Sequence, residues 1–156
     1  MSNITIRAAR LLEAEALSEL CRRSKAHWGY DAAFMEASRE ALTISPAMIA
    51  RGRVLVAQDS SGAVAGVTSA DPLEDTGAWD LVHMFVEPAA IGTGAGRELF
   101  AAIVALVRAE GGKRLVILAD PNAETFYRRM GAKRVGEAPS DAIAGRMLPL
   151  LEYVIA

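Results

Sequence analysis

The chain has 156 residues, 52% of them hydrophobic and 23% charged, proportions that are ordinary for one folded domain. The formal net charge is −2, which argues against a nucleic-acid-binding protein because such proteins usually carry a basic excess. The one cysteine, Cys21, excludes an intrachain disulfide, and no apolar run reaches the roughly 18 residues of a membrane span. We expect a single cytoplasmic domain over residues 4–156, with neither nucleic acid nor membrane as a partner.

Hydrophobic periodicity and turn residues divide the chain into predicted strands and helices. In chain order these are a strand at 3–7, helices at 11–24 and 32–42, strands at 53–58, 63–70 and 78–86, a helix at 96–110, a strand at 114–119, a short helix from 120 to 131, and strands at 133–137 and 147–154. Three strands joined by turns favour an antiparallel unit, and the β-α-β unit that follows favours a parallel crossover. The prediction is an α/β fold with a mixed sheet and helices packed on it.

A glycine-rich segment joins the strand at 78–86 to the helix at 96–110, and it reads Ile91-Gly92-Thr93-Gly94-Ala95-Gly96-Arg97. A dinucleotide-binding fingerprint would need glycine where Arg97 stands, and a Walker A loop would end in Gly-Lys-Ser/Thr. A third interpretation is a strand–loop–helix junction whose backbone N–H groups point at a pyrophosphate, since small residues allow close approach and a helix N-terminus favours an anion. A flexible turn before a helix is the remaining alternative.

Two segments carry a resemblance to a known family. The glycine loop resembles the Gln/Arg-x-x-Gly-x-Gly/Ala loop of the GNAT superfamily of N-acetyltransferases, except that Ile91 stands first and cannot donate a side-chain hydrogen bond. The segment 122–132 resembles that superfamily's Asn-x-x-x-x-Phe-Tyr-x-x-x-Gly-Phe, shortened by one residue and with Ala132 replacing the aromatic. The resemblance implies a GNAT-like fold, with a mostly antiparallel, twisted sheet of about 6–7 strands flanked by about 4 helices.

The resemblance also implies an activity and a cofactor. The expected activity is transfer of an acetyl group from acetyl-CoA to a primary amine of a small molecule or peptide, by direct attack in a ternary complex and without a metal. Tyr127 is the implied general acid, and a phenol is protonated at neutral pH with a pKa of about 10. Implied cofactor-binding residues are Met84, Phe85, Val86, Ile91, Gly92, Thr93, Gly94, Ala95, Gly96, Arg97, Asn122 and Phe126.

The base and the acceptor site are less sharply defined by the sequence. An alkyl ammonium must lose its proton before it attacks, and the candidates for this role are Asp80, His83 or water alone. Simple alternation puts Asp80 and His83 on opposite faces of their strand, although a bulge would re-aim His83. The predicted acceptor-site residues are His27, Trp28 and Tyr30, with the loop at 140–146 as a second candidate wall.

Two further questions stay open at this point. The alternative function is a catalytically weak acyl-CoA sensor of the same fold, which the substitution at Ile91 favours. For the oligomeric state, a homodimer is one option. The acceptor amine itself is not identified by the sequence.

Overall fold

The structure, a computed structural model, describes residues 3–156. The described residues form seven strands: β1 Thr5–Ala8, β2 Val54–Gln58, β3 Val64–Pro72, β4 Ala78–Val86, β5 Arg114–Leu118, β6 Lys133–Pro139 and β7 Met147–Val154. Five α-helices accompany them: α1 Ala14–Ala26, α2 Ala32–Ala37, α3 Pro46–Ala50, α4 Ala95–Ala109 and α5 Glu124–Arg129. Short 3-10 turns over Leu11–Glu13, Pro88–Ala90 and Pro121–Ala123 precede α1, the glycine loop and α5.

All seven strands form one sheet in the order β1-β2-β3-β4-β5-β7-β6. Every neighbouring pair is antiparallel except β4 and β5, which are parallel and connected through α4. The predicted mixed, mostly antiparallel sheet is therefore confirmed. The parallel pairing covers only three residues of each strand, from Ala78 to Asp80 on β4, so the two strands separate beyond that point.

A bulge at Val82 changes which residues of β4 share a face. Ser69 of β3 pairs with His83, whereas its neighbour Ala70 pairs with Leu81, so Val82 has no partner on β3. Because side chains alternate along a strand, the extra residue puts Asp80 and His83 on the same face of the sheet. Simple alternation predicts that Asp80 and His83 lie on opposite faces. The bulge, which the sequence analysis left as an option, instead places them on the same face.

Helices cover both faces of the sheet. α4 buries the side chains Leu99, Phe100, Ile103, Val104 and Val107, the set that its periodicity predicts. α1 packs on the opposite face, where Leu17, Leu20 and Cys21 contact Val56 and Val67. Burial raises the pKa of the Cys21 thiol to about 12, so Cys21 is a buried apolar residue and not a reactive thiol.

The second helix is shorter than predicted. The sequence predicts a helix over 32–42, but α2 ends at Ala37 and the chain continues to Leu42 in turns. Bonds to the carbonyl three residues back appear there, from Leu42 to Arg39 at 3.2 Å and from Thr43 to Glu40 at 3.1 Å, and the Leu42 amide also donates to the Ser38 carbonyl at 3.1 Å. These tighter turns bring Leu42 and Ile44 into the core beneath α1. Among residues 3–156, no helix is both long enough and apolar enough to cross a bilayer.

Candidate active site

A cleft of about 570 Å³ lies where β4 and β5 separate. Its walls come from the second half of β4, the end of β5, the glycine loop, α5 and the end of α1. The lining residues that were predicted from the sequence are His27, Trp28, Met84, Phe85, Val86, Ile91, Gly92, Gly94, Gly96, Arg97, Asn122, Phe126 and Tyr127. The cleft thus brings together most of the residues that the two motifs single out.

The glycine loop leads directly into α4. Gly92 and Gly94 have φ angles of 85° and 93°, in the left-handed region that other residues rarely adopt. Among the described residues of α4, the first backbone amide that donates to a backbone carbonyl is that of Glu98, which donates to the Gly94 carbonyl at 3.0 Å. The amides of 95–97 precede it and lack a carbonyl one turn back, so they point out of the helix N-terminus. This end of α4 therefore presents N–H donors and a positive dipole to an anion.

Gly96 lies close to two other walls of the cleft. A Cβ atom added there would lie 3.1 Å from the ring of Phe126 and 3.6 Å from the side chain of Val86. Two further predicted residues do not line the cleft: Ala95 is buried, and the Thr93 hydroxyl donates to the Ala90 carbonyl at 2.6 Å. They shape the loop, whose cleft-lining residues are Ile91, Gly92, Gly94, Gly96 and Arg97.

Two arginines at the cleft carry free positive charge. Arg97 and Arg129 are exposed and line it, and neither has an ion-pair partner among residues 3–156. Arg97 follows the glycine loop, while Arg129 ends α5, one turn after Phe126. The sequence analysis missed Arg129, although its position two residues after Tyr127 in the second motif was a usable signal.

Tyr127 is buried, with 6% of its surface exposed, and its hydroxyl has no hydrogen-bond partner among the described residues. Its ring contacts the ring of Phe126, with centroids 5.3 Å apart, and that of Phe100 at 6.2 Å. Burial, assisted by the negative charge of Asp120, raises the pKa of Tyr127 above its ordinary value. The hydroxyl therefore stays protonated at neutral pH and is available to a ligand in the cleft.

The two candidate bases share a sheet face but do not line the cleft. His83 is 2% exposed, and its Nδ1 lies 2.7 Å from the Ser69 hydroxyl while its Nε2 is buried without a partner among the described residues. Burial lowers the pKa of His83 to about 4, although nearby backbone groups of Ala41 and Thr43, outside hydrogen-bond geometry, act in the opposite direction. At neutral pH this histidine is uncharged and enclosed.

Asp80 lies in a different environment. It is half-buried and pairs across the strands with Asp71. Burial raises the pKa of Asp80, and the negative charges of Asp141 and Asp71 raise it further. A carboxylate with a raised pKa is a better proton acceptor than an ordinary aspartate.

The predicted acceptor-site residues have different positions. His27 and Trp28 line the cleft, with their rings 5.5 Å apart. Tyr30 does not line it, and its hydroxyl instead donates to the Asp120 carboxylate at 2.8 Å. Asn122 donates from its amide nitrogen and from its side chain to the other oxygen of Asp120, at 2.8 and 2.9 Å.

Asp120 and Lys25 are cleft residues that the sequence analysis did not assign to the site. The Lys25 ammonium lies 2.6 Å from the Asp120 carboxylate. Burial alone would raise the pKa of Asp120, but the hydrogen bonds from Lys25 and Asn122 keep it below its ordinary value. The two residues are 95 positions apart, so no local pattern could have paired them. Among the described residues, no group of three or more histidine, cysteine, aspartate or glutamate side chains is arranged to hold a metal ion.

Comparison with solved structures shows the fold. A GCN5-related N-acetyltransferase from Rhodopseudomonas palustris aligns with a TM-score of 0.77 and 22% identity, over 99% of this chain and 97% of that one. An N-acetyltransferase from Thermoplasma acidophilum in complex with coenzyme A aligns with a TM-score of 0.76 and 18% identity, over 99% of both chains. A GNAT family acetyltransferase from Brucella melitensis in complex with acetyl-CoA has a TM-score of 0.69 and 21% identity, over 100% and 90%.

Comparison with families and individual sequences gives two further findings. No curated protein matches the sequence. The family described as acetyltransferase (GNAT) domain matches residues 16–142, which include the cleft's glycine loop, Tyr127 and most of the sheet. The chain belongs to the GNAT acetyltransferase family.

Proposed function

We propose that this protein transfers an acetyl group from acetyl-CoA to a primary amine of a small molecule or peptide, by direct attack within a ternary complex. The observation that carries this proposal is the hydroxyl of Tyr127, which has no partner among the described residues, on the wall of a cleft that begins at the glycine loop and the N-terminus of α4. The two solved relatives that contain coenzyme A and acetyl-CoA support the choice of cofactor.

The cleft offers matching groups for acetyl-CoA. The amides at the N-terminus of α4 suit the pyrophosphate, because they are free donors at the positive end of a helix dipole. Arg97 and Arg129 supply charge for the phosphates. The apolar walls at Met84, Val86 and Phe126 suit a chain of low polarity that leads toward Tyr127. In this arrangement Ile91 contributes apolar contact, and the loop's backbone provides the hydrogen bonds.

The reaction requires two proton movements. The amine nitrogen forms a bond to the thioester carbonyl carbon, and the carbon–sulfur bond breaks. Tyr127 donates its proton to the leaving sulfur, and its raised pKa keeps that proton in place until then. The attacking nitrogen releases one proton, which replaces the proton lost by the tyrosine after passing through the base and solvent.

We propose Asp80 as the base, acting through a water molecule because its side chain does not line the cleft. Its raised pKa supports this role, and so does its location on the α1 side of the sheet, which His27 and Trp28 border. His83 suits the role less well, since it is enclosed and its pKa is low. Water alone is the simplest alternative.

A second function, a catalytically weak acyl-CoA sensor, is favoured by one observation: neither candidate base lines the cleft. A thiol-release assay with acetyl-CoA and a panel of amines, amino acids and peptides separates the two functions. An enzyme releases coenzyme A thiol only when an acceptor is present, and the release falls by about 10²–10³-fold in Tyr127→Phe. A sensor shows a thermal shift with acetyl-CoA but no release with any acceptor. Absence of thiol release with every acceptor would overturn the proposed acetyl transfer, and absence of the thermal shift as well would overturn the sensor function.

A further inference from the structure

A cluster of charged and aromatic side chains adjoins the cleft near the end of α1. Its members, here called the Arg146 cluster, are Lys25, Tyr30, Phe34, Asp120, Asn122 and Arg146. They come from the end of α1, the loop after it, α2, the loop after β5 and the loop between β6 and β7. Lys25, Asp120 and Asn122 also line the cleft, so the cluster is continuous with the wall that contains Tyr127.

The Tyr30 hydroxyl is the junction of this cluster. It donates to Asp120 at 2.8 Å and accepts from Arg146 at 2.8 Å. The Asn122 side chain donates to the same hydroxyl at 3.2 Å. Arg146 is therefore hydrogen-bonded to a side chain that itself contacts the cleft wall, although Arg146 is not a cleft-lining residue.

The cluster carries more positive than negative charge. Asp120 is the only ion-pair partner of Lys25 and of Arg146 within residues 3–156, at 2.6 Å and 3.9 Å respectively. One carboxylate thus serves two cations, which leaves one positive charge without a counter-ion. All three side chains are largely shielded from solvent, with 11–20% of their surfaces exposed, and an uncompensated charge is costly in such surroundings.

The guanidinium of Arg146 is held in a defined orientation. It lies over the ring of Phe34, 4.9 Å from the centroid, and over that of Tyr30 at 5.2 Å. Those two rings are stacked, 3.9 Å apart and nearly parallel. Within the described residues, only its Nη2 donates a hydrogen bond, so the remaining donors of its planar fork are available. A fixed guanidinium with free donors matches the geometry of a carboxylate.

We infer that the acceptor amine carries a carboxylate group, as an amino acid does, and that Arg146 binds this carboxylate while the amine lies at Tyr127. The inference rests on the proposed acetyl transfer for the position of the amine. The single uncompensated charge matches a monoanionic carboxylate better than a doubly charged phosphate. In the proposed function the pyrophosphate of acetyl-CoA has its own site at the N-terminus of α4.

The test uses pairs of ligands that differ only in this charge. N-acetyl-L-amino acids with varied side chains, and the primary amide of each, are titrated into the full chain in the presence of coenzyme A. These product-like ligands lack a free amine, so amine protonation does not affect the comparison. We expect at least one acid to bind about 10–100-fold more tightly than its amide, the range for hydrogen bonds to a charged group. No such preference in any pair would overturn the inference.

Variants then test whether Arg146 is the source of the preference for the acid over the amide. Arg146→Gln should reduce the acid-to-amide ratio about 10–100-fold, whereas Arg108→Gln, the same change at the far end of α4, should keep it. Should Arg146→Gln fail to fold, Tyr30→Phe keeps the ring stack and removes the hydroxyl that holds the guanidinium, and it should lower the ratio in the same direction. A cluster that only joins loops would lower acid and amide binding equally, and that result would also overturn the inference.

The outcomes distinguish this inference from the proposed function. Suppose that acids bind in an Arg146-dependent way, but that acetyl-CoA releases no thiol when the matching free amino acids are added. That result would overturn the acetyl-transfer proposal and support the carboxylate site. Acetylation of amines with no preference for a carboxylate would do the reverse.

Discussion

Tyr127→Phe is the change that tests the proposed chemistry most directly. The substitution keeps the ring contacts with Phe126 and Phe100, at 5.3 and 6.2 Å, and removes only the hydroxyl. Because that hydroxyl has no partner in the described chain, its loss strands no buried donor or acceptor. We therefore expect the free energy of unfolding to change by about 1 kcal/mol or less.

The effect on catalysis should be much larger. Loss of a positioned general acid should lower kcat by about 10²–10³-fold, which corresponds to roughly 2.7–4.1 kcal/mol of transition-state stabilisation. Binding of acetyl-CoA should change little, since the glycine loop and the apolar walls are untouched. A lower kcat with unchanged binding identifies an interaction made only in the transition state.

The pH dependence adds an independent check. Burial raises the pKa of Tyr127 above its ordinary value, so the wild-type rate should not decline through loss of this proton at any pH below about 10. Thiol release measured from pH 6 to 10, with acetyl-CoA binding measured by calorimetry, gives both quantities. Tyr153→Phe is the matched control, because Tyr153 also contacts Phe100, at 5.2 Å, but does not line the cleft.

A Tyr127→Phe protein that binds acetyl-CoA and turns over at the wild-type rate would refute the reasoning. The leaving thiolate would then take its proton from solvent, and Tyr127 would be a wall of the cleft only.

Three further predictions concern the glycine loop and the two candidate bases. Gly96→Asp should weaken acetyl-CoA binding at least about 10-fold more than Gly96→Asn, because of charge repulsion at the pyrophosphate site. Both side chains meet the same crowding at Phe126, so the free Asp variant should be more stable than the free Asn variant by about 0.3–1 kcal/mol through the helix dipole. Asp80→Asn should lower kcat about 10²-fold at pH 7 and less at pH 9, where the free amine is more abundant. His83 should contribute to acid unfolding: its pKa falls from about 6.5 to about 4 on folding, so stability is full above pH 6.5 and declines by about 3 kcal/mol as the pH falls to 4.

Each of these predictions has a clear negative outcome. Equal acetyl-CoA affinity in the two Gly96 variants, measured by calorimetry, would show that the pyrophosphate does not bind at this helix end. A pH–rate profile of Asp80→Asn that matches the wild type in shape and height would leave water as the base. Urea unfolding of His83→Asn at pH 4.5 and 7 should show a smaller pH effect than the wild type, and an identical one would assign the acid sensitivity to other groups.

The sequence predicted the local elements of the site well. The strand at 78–86 matches β4 residue for residue, and the helix at 96–110 differs from α4 by one residue at each end. Both elements have strong local signals: a β-rich run that ends before Pro88, and an apolar helix between glycines. The position of Gly94, between these two elements, was predicted along with them. Tyr127 lies on α5, and its assignment to the site came from the resemblance of the segment 122–132 to the family motif.

Features that depend on contacts between distant segments could not be predicted in the same way. The bulge at Val82 is defined by its pairing with β3, and no residue type at that position signals it. The end of α2 at Ala37 follows from the burial of Leu42 and Ile44 rather than from a helix-breaking residue. The Arg146 cluster joins loops up to 116 positions apart, so its members look like separate surface residues in the sequence.

The short pairing between β4 and β5 has a consequence for how the protein responds to its ligand. Beyond Asp80, β4 pairs with β3 on one side but has no partner strand on the side that faces β5. The backbone amides and carbonyls on that side face the cleft, as they would at the edge of a sheet. An extended ligand with amide groups of its own can complete that ladder as an added strand would. Amide hydrogen exchange along 81–86 should therefore be faster in the free protein than along the fully paired β3, and it should slow when acetyl-CoA binds.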